Sequence, residues 1–111
     1  MPHHPLCPQL EKAMRLLGKP WSMLILDRLS FGPRRFGEIE AELLVSARIL
    51  SERLKELERE GLVVRAVHPE TPVRIEYSLS PQGAALEPAL REIERWASRW
   101  LAPTPSKPGP Q

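Results

Sequence analysis

The sequence is notable first for what it lacks. Its 111 residues include no asparagine, a single cysteine, Cys7, and only 5% aromatic residues. One cysteine cannot form an internal disulfide, which is consistent with a reducing compartment. No apolar run approaches the roughly 20 residues that span a membrane, and the start, MPHHPLCPQL, lacks the apolar region of a signal peptide. We therefore expect a cytoplasmic protein with no membrane contact.

Residues that support catalysis or bind metals are equally scarce. Two of the three histidines, His3 and His4, lie close to Cys7 near the start, but no second cluster exists to complete a metal site. The sequence contains neither an H-E-x-x-H motif nor a glycine loop that could cradle a phosphate. We expect no enzymatic activity, no metal and no cofactor.

Charge and proline content indicate one small domain with irregular ends. The formal charge is +2 and the pI about 9.0, a mild basic bias that permits nucleic-acid binding without requiring it. The 13 prolines are dense at both termini. We predict a flexible arm over residues 1–7, one domain over residues 8–101 and a disordered proline-rich tail over residues 102–111.

The stretch from Ser46 to Gly61 carries the clearest helical pattern. Its leucines, Leu50, Leu54 and Leu57, recur at i, i+4 and i+7 and share one face. Ser46 can cap the helix, and Gly61 suits the left-handed residue after it. The opposite face carries Arg48, Ser51, Glu52, Lys55 and Arg59. Such a face is most often simply solvated, so its neighbours decide whether it binds a partner.

The elements around this helix suggest a DNA-binding unit. Helices are predicted at 8–17, about 20–30 and about 35–42, and strands at 62–68 and 73–80. A short helix, a tight turn and a longer helix form a helix-turn-helix. The two strands form a β-hairpin directly after it, in the position of a wing. The predicted fold class is therefore mainly α with a small β-hairpin, a winged helix-turn-helix.

A last helix is predicted over about residues 81–101. Pro88 lies inside it and is expected to bend it near Ala84–Ala85. A helix of about 20 residues is roughly 30 Å long, too long for so small a domain to cover its apolar stripe. We expect a partner subunit to cover that stripe.

The ordered motifs resemble those of the HxlR family of bacterial winged helix-turn-helix regulators. The matching segments run from Cys7 to Trp96 and include Cys7-Pro8, Trp21-Ser22-Met23-Leu24-Ile25-Leu26, Gly32-Pro33-Arg34-Arg35-Phe36-Gly37-Glu38-Ile39, Pro69-Glu70 and Tyr77-Ser78-Leu79-Ser80. Two departures stand out. Pro20 precedes Trp21 where the family has Gly-Lys-Trp, and Leu43-Leu44 stand where the family often has Pro-Gly.

The resemblance implies a homodimer, built through the terminal helices, that binds double-stranded DNA at a pseudo-palindromic operator. From their positions we predict base-edge contacts from Arg48 and Ser51 and backbone or minor-groove contacts from the other basic residues. The predicted DNA-binding residues are Arg34, Arg35, Ser46, Arg48, Ser51, Lys55, Arg59, Arg65 and Arg74. The predicted dimer interface comprises Leu10, Met14, Leu86, Leu90, Ile93, Trp96, Ala97 and Trp100.

Two questions stay open at the sequence level. In part of the HxlR family a cysteine at the position of Cys7 senses oxidants or electrophiles, whereas the alternative is an inert thiol or a small core residue. An oxidant or small-molecule effector is therefore conceivable but unidentified. The alternative function for the whole chain is a winged-helix protein-interaction module without specific DNA binding, because one fold can serve both purposes.

Overall fold

The computed structural model describes residues 4–103. In chain order its elements are α1 (Pro8–Leu17), α2 (Ser22–Leu29), β1 (Arg34–Arg35), α3 (Phe36–Leu43), α4 (Ala47–Arg59), β2 (Val63–His68), β3 (Arg74–Leu79), α5 (Pro81–Ala84) and α6 (Glu87–Trp100). The three strands form an antiparallel sheet in the order β1-β3-β2. No helix within this range is long and apolar enough to cross a membrane.

One apolar core joins α2, α3, α4 and the start of β2. Ile25 and Leu26 from α2 and Ile39 from α3 are completely buried. They meet the predicted leucine face of α4, whose members, Leu50, Leu54 and Leu57, are each at most 1% exposed. Burying a leucine side chain stabilises a fold by about 1.5–3 kcal/mol, so this face fixes the rotation of α4 about its axis. The opposite face of α4 must then point outward.

Both ends of α4 follow local sequence signals. The Ser46 hydroxyl accepts a hydrogen bond from the Ile49 amide at 3.2 Å, which satisfies one of the free amides of the first turn. After the last turn Gly61 has a φ of 84°, the left-handed conformation that glycine adopts without strain. The predicted cap and stop residues are both confirmed.

The β-hairpin is confirmed, and a third strand extends it. β2 and β3 pair from Val63 opposite Leu79 to His68 opposite Arg74. The sequence pattern did not predict β1, whose Arg34 pairs with Tyr77 and whose Arg35 pairs with Glu76. Two residues cannot show a period of two, so this strand exists through its pairing with β3 rather than through a local signal.

The predicted continuous helix over residues 81–101 is wrong, because the chain breaks between α5 and α6. Pro88 has no N–H to donate to a preceding carbonyl, and its ring excludes that carbonyl. It therefore lies in the first turn of α6, where neither defect matters. The expected bend is a new helix start.

Leu90, one of the predicted dimer-interface residues, packs mainly within its own chain. Leu90 is only 8% exposed within its own chain and belongs to the core, since α6 packs this side against α2. Leu86 is half-buried against the same core.

The predicted ends of the domain lie partly beyond the described residues. Residues 4–7 have no regular secondary structure and are exposed, and so are Ala102 and Pro103. The rest of the predicted arm, 1–3, and of the predicted tail, 104–111, falls outside the range that the structure describes.

Candidate nucleic-acid interface

The outer face of α4 presents a group of exposed cations. Arg48, Lys55 and Arg59 are all exposed, Ser51 is half-buried beside them, and the face lies opposite the buried leucines. Within residues 4–103 none of the three cations forms an ion pair or a side-chain hydrogen bond. Their charges are therefore available to a partner. We call these four residues the α4 outer face.

Arg53 belongs to a different set of contacts, which hold α4 in place. Its Nε donates to the Pro20 carbonyl at 2.9 Å, and its side chain is 19% exposed. Glu56, one turn further along α4 than Arg53, forms an ion pair with Lys19. Both contacts join α4 to the loop before α2, so the side chains on this edge of α4 are engaged within the protein.

The turn between α3 and α4 contains an exposed leucine. Leu44 has a φ of 56°, and its amide donates to the Glu40 carbonyl at 2.9 Å, which ends α3. Its side chain is 53% exposed, whereas the next residue, Val45, is buried. The sequence departure at Leu43-Leu44 thus places an exposed apolar side chain beside the N-terminus of α4.

The other predicted DNA contacts divide into free and occupied groups. Arg35 and Arg65 are exposed and form no ion pair among the described residues. Arg34 is occupied, since its Nε contacts Glu42 at 3.1 Å and its Nη1 donates to the Gly32 and Pro33 carbonyls. Arg74 is occupied as well.

On the wing, two carboxylates hold Arg74. Its Nη2 lies 3.1 Å from Glu70 and its Nη1 lies 3.3 Å from Glu76, which also contacts His68 at 2.9 Å. For Arg34 and Arg74, contact with DNA requires exchange of an internal carboxylate for a phosphate.

Large apolar side chains are exposed on α1 and on α6. They are about half exposed or more, from 49% for Ile93 to 66% for Trp100. The set comprises Leu10, Met14, Ile93, Trp96 and Trp100, and we call it the terminal apolar face. Isolated exposed apolar residues are ordinary, but five large ones on two helices are typical of a protein interface.

Cys7 stands at the start of α1, immediately before Pro8. It is exposed, and its thiol donates to Gln9 Oε1 at 3.3 Å. Gln9 also lines a groove of about 400 Å³ between α1 and α5, whose apolar floor includes Leu16, Leu17 and Leu86. The cysteine is therefore accessible to solvent and lies beside a partly apolar recess.

Comparison with known proteins decides the family. The model of the HxlR-like helix-turn-helix family matches residues 16–105. The chain belongs to the HxlR-like family. The HTH-type transcriptional regulator YvaP of Bacillus subtilis is 57% identical over 100 residues, which cover 89% of this chain and 93% of YvaP. The resemblance seen in the sequence motifs is confirmed, and so is the predicted function class, transcriptional regulation.

Solved structures support the same assignment. Reduced YodB from B. subtilis, a transcriptional regulator, superposes with a TM-score of 0.78 at 43% identity, over 91% of this chain and all of that one. Quinone-bound YodB superposes with a TM-score of 0.74 at 40% identity, over 86% of this chain and all of that one. The winged-helix fold of this HxlR-like chain is therefore shared with a regulator that binds a quinone.

Sequence reasoning missed one set of polar residues in this HxlR-like chain. Asp27 and Glu42 each contact two arginines. Asp27, on α2, contacts Arg91 of α6 and its own neighbour Arg28, which in turn contacts Glu42 of α3. The side-chain hydrogen bond to Asp27 raises the pKa of Arg28 above its ordinary value. A single aspartate in an apolar helix, with thirteen glutamates elsewhere, was the available signal.

Proposed function

We propose that this HxlR-like regulator binds operator DNA by inserting α4 into the major groove. The observation that carries the proposal is the α4 outer face, which presents three exposed cations on the second helix of a helix-turn-helix, none of them paired with a residue in the range 4–103. Arg48 and Ser51 lie in its first half, where they can reach base edges, and an arginine can bind guanine through two hydrogen bonds. Lys55 and Arg59 lie further along and suit phosphate contacts.

Binding as a homodimer follows from the terminal apolar face. A helix reads only a few base pairs, whereas a two-fold dimer presents two helices about one DNA turn, roughly 34 Å, apart. The terminal apolar face shares no residue with the α4 outer face and lies on other helices, so a second copy can cover it without using the proposed DNA-binding residues. We place the working protein in the cytoplasm, together with the DNA.

Cys7 supports a second proposal, that an electrophile or oxidant is the effector. The thiol is exposed, and the similar regulator YodB has been solved in quinone-bound and diamide-treated forms. A quinone would add to the Cys7 sulfur: the S–C bond forms, the thiol proton passes to one quinone oxygen, and the C–H proton at the attacked carbon moves to the other oxygen, which gives a thioether-linked hydroquinone. Intact mass after benzoquinone treatment should rise by one quinone in the wild type and stay unchanged in Cys7→Ser.

Salt dependence tests the DNA-binding proposal against the protein-interaction alternative. If the dimer neutralises about six phosphates, log affinity for a random duplex should fall against log salt with a slope of about −5. Lys55→Ala should reduce the steepness by about two, one phosphate for each subunit. Arg95→Ala, at an exposed arginine on α6, is the matched control and should leave the slope unchanged. A protein-interaction module would show little duplex affinity at any salt concentration.

A further inference from the structure

Five charged side chains of alternating sign link α6 to the helix-turn-helix and to the sheet. We call this set the charge chain; in order it is Arg91, Asp27, Arg28, Glu42 and Arg34. Its members come from α6, α2, α3 and β1. The charge chain therefore runs from the helix that carries Ile93, Trp96 and Trp100 to α3 and β1, the two elements that precede α4 in the sequence.

The first link joins α6 to α2. Arg91 Nη2 lies 2.5 Å from Asp27 Oδ1 and donates to the Ser30 hydroxyl at 3.2 Å, while that hydroxyl donates to the Asp27 carbonyl at 2.6 Å. Among the described residues this is the one ion pair that α6 makes with another element, because Glu92 and Glu94 pair with arginines of α6 itself.

The next links pass from α2 to α3 and β1. The other Asp27 oxygen, Oδ2, lies 2.9 Å from Arg28 Nη2, and Arg28 Nη1 lies 3.5 Å from Glu42 Oε2. The remaining Glu42 oxygen accepts from Arg34 Nε at 3.1 Å. The Asp27 and Glu42 carboxylates thus each contact two arginines, one through each oxygen. If one of these arginines moves, the carboxylate moves with it, and the best position for the second arginine changes.

Partial burial makes these contacts stronger than ordinary surface ion pairs. Side-chain exposure ranges from 21% for Asp27 to 34% for Arg28, whereas the Arg95–Glu92 pair on α6 is 66% and 71% exposed. Coulomb attraction rises as water is excluded, and exposed pairs contribute little. The guanidinium carbons of Arg28 and Arg91 also both lie over the Phe31 ring, 5.1 and 4.9 Å from its centroid, and these cation–π contacts further limit their movement.

We infer that the charge chain sets the angle between α6 and the helix-turn-helix, and so determines which half-site spacing the dimer reads. The inference rests on the proposed function, because a spacing exists only for a dimer on DNA. Asp27 is the central positioning residue. If α6 holds the two subunits together, a change in the angle between α6 and the α3–α4 pair displaces α4 in both subunits. The distance between the two copies of α4 then changes by the sum of the two displacements.

The test compares Arg91→Gln with Arg95→Gln in the full chain. Both remove one positive charge from the same face of α6, but Arg95 pairs only with Glu92 on its own helix. The probes are the duplex that the wild type selects from a random pool and copies of it with the half-sites moved by one base pair in either direction. Hydrogen exchange of the α3 amides, measured without DNA, is the second readout.

We expect Arg91→Gln to reduce the preference for the selected spacing by about five-fold or more, with affinity for random duplex within about two-fold of the wild type. The α3 amides should exchange faster than in Arg95→Gln. Asp27→Asn should repeat both effects, and Asp27→Glu should partly restore the spacing preference. These two variants keep the inference testable if Arg91→Gln folds poorly.

Several outcomes would overturn the inference. Equal spacing preference in the two arginine variants excludes a positioning role, even if α3 exchange rises, because the pair would then only stabilise the fold. Equal hydrogen exchange of the α3 amides in Arg91→Gln and Arg95→Gln excludes a mechanical link between α6 and α3. If the wild type selects no duplex, the proposed function fails and the spacing inference fails with it, whereas selection by the wild type with no effect of Arg91→Gln rejects the inference alone.

Discussion

Among the described residues, two that are not glycine, Trp21 and Leu44, adopt left-handed backbone conformations, with φ values of 76° and 56°. Glycine and asparagine adopt this conformation most readily, but asparagine is absent from the sequence. Trp21 is half-buried against the core, so its packing can offset the strain. Leu44 is 53% exposed and gains little packing in return. The strain at Leu44 is therefore a stability cost that substitution can remove.

Leu44→Asn should raise the free energy of unfolding by about 0.5–1 kcal/mol, because asparagine tolerates the left-handed conformation and little buried surface is lost. Urea unfolding of the full chain measures the change. Leu43→Asn is the matched control; Leu43 packs partly against the core, so this variant should be less stable than the wild type. A less stable Leu44→Asn would show that the leucine side chain contributes more than its conformation costs.

Arg48 and Lys55 have different expected roles on the α4 outer face, and affinity measurements can separate them. Arg48→Ala should reduce discrimination between selected and random duplex by about 1–3 kcal/mol, because a base-edge contact is lost. Lys55→Ala should weaken binding to both duplexes about equally, because phosphates carry no sequence information. A similar loss on both duplexes in Arg48→Ala would assign Arg48 to the phosphate contacts as well.

At the scale of elements, α5 depends on close contact with the residue that leads into β2. A Cβ on Gly83 would lie 2.1 Å from the Leu62 carbonyl oxygen, a backbone atom that cannot move aside cheaply. Ser80 fixes the same junction, since its hydroxyl donates to the Gly61 carbonyl at 2.5 Å and accepts from the Gly83 amide at 3.0 Å. The close Gly83–Leu62 contact and the two Ser80 hydrogen bonds therefore fix the start of α5 against the start of the wing.

Gly83→Ala should lower the free energy of unfolding by about 1–3 kcal/mol, the usual range for overpacking a tight site. Gly37→Ala serves as the control, because a Cβ there meets nothing within 4 Å and Gly37 lies in a helix. It should raise the free energy of unfolding by about 0.5–1 kcal/mol. Thermal and urea unfolding should both show a less stable Gly83→Ala and a more stable Gly37→Ala. An unchanged stability of Gly83→Ala would mean that α5 can shift away from Leu62.

Elements with a repeated pattern were predictable from the sequence, and elements formed by pairing were not. The leucine spacing, Ser46 and Gly61 together predicted α4 and its outer face. β1 has two residues and depends on β3, more than 40 positions away, for its existence. Pro88 was correctly expected to disturb the last helix, but whether it bends or restarts a helix depends on the packing of Leu90 into the core, which no local pattern encodes.

The same distinction applies to the candidate site. Exposure on α4 follows from the buried leucines, so the free cations could be predicted. The pairing of Arg34 with Glu42, of Arg74 with Glu70 and Glu76, and above all of Arg91 with Asp27 across 64 positions depends on how the elements meet. Tertiary contacts thus decide which of the predicted DNA-binding arginines are free.

For the whole molecule, the terminal apolar face is the surface that the proposed homodimer would cover. Ile93→Glu places a charge within it and should convert the proposed dimer to a monomer in sedimentation velocity, because a buried unpaired charge is costly. Arg95→Glu, two residues along α6 and away from the terminal apolar face, should remain dimeric. A dimer that persists in Ile93→Glu would place the interface elsewhere.

The central claim is that a two-fold dimer reads DNA through two copies of α4. Selection of bound duplexes from a random pool by the wild-type chain tests it most directly. We predict enrichment of two inverted half-sites whose centres lie about one DNA turn, roughly 34 Å, apart. Enrichment of no sequence, or of one asymmetric site that Ile93→Glu binds as tightly as the wild type, would contradict it.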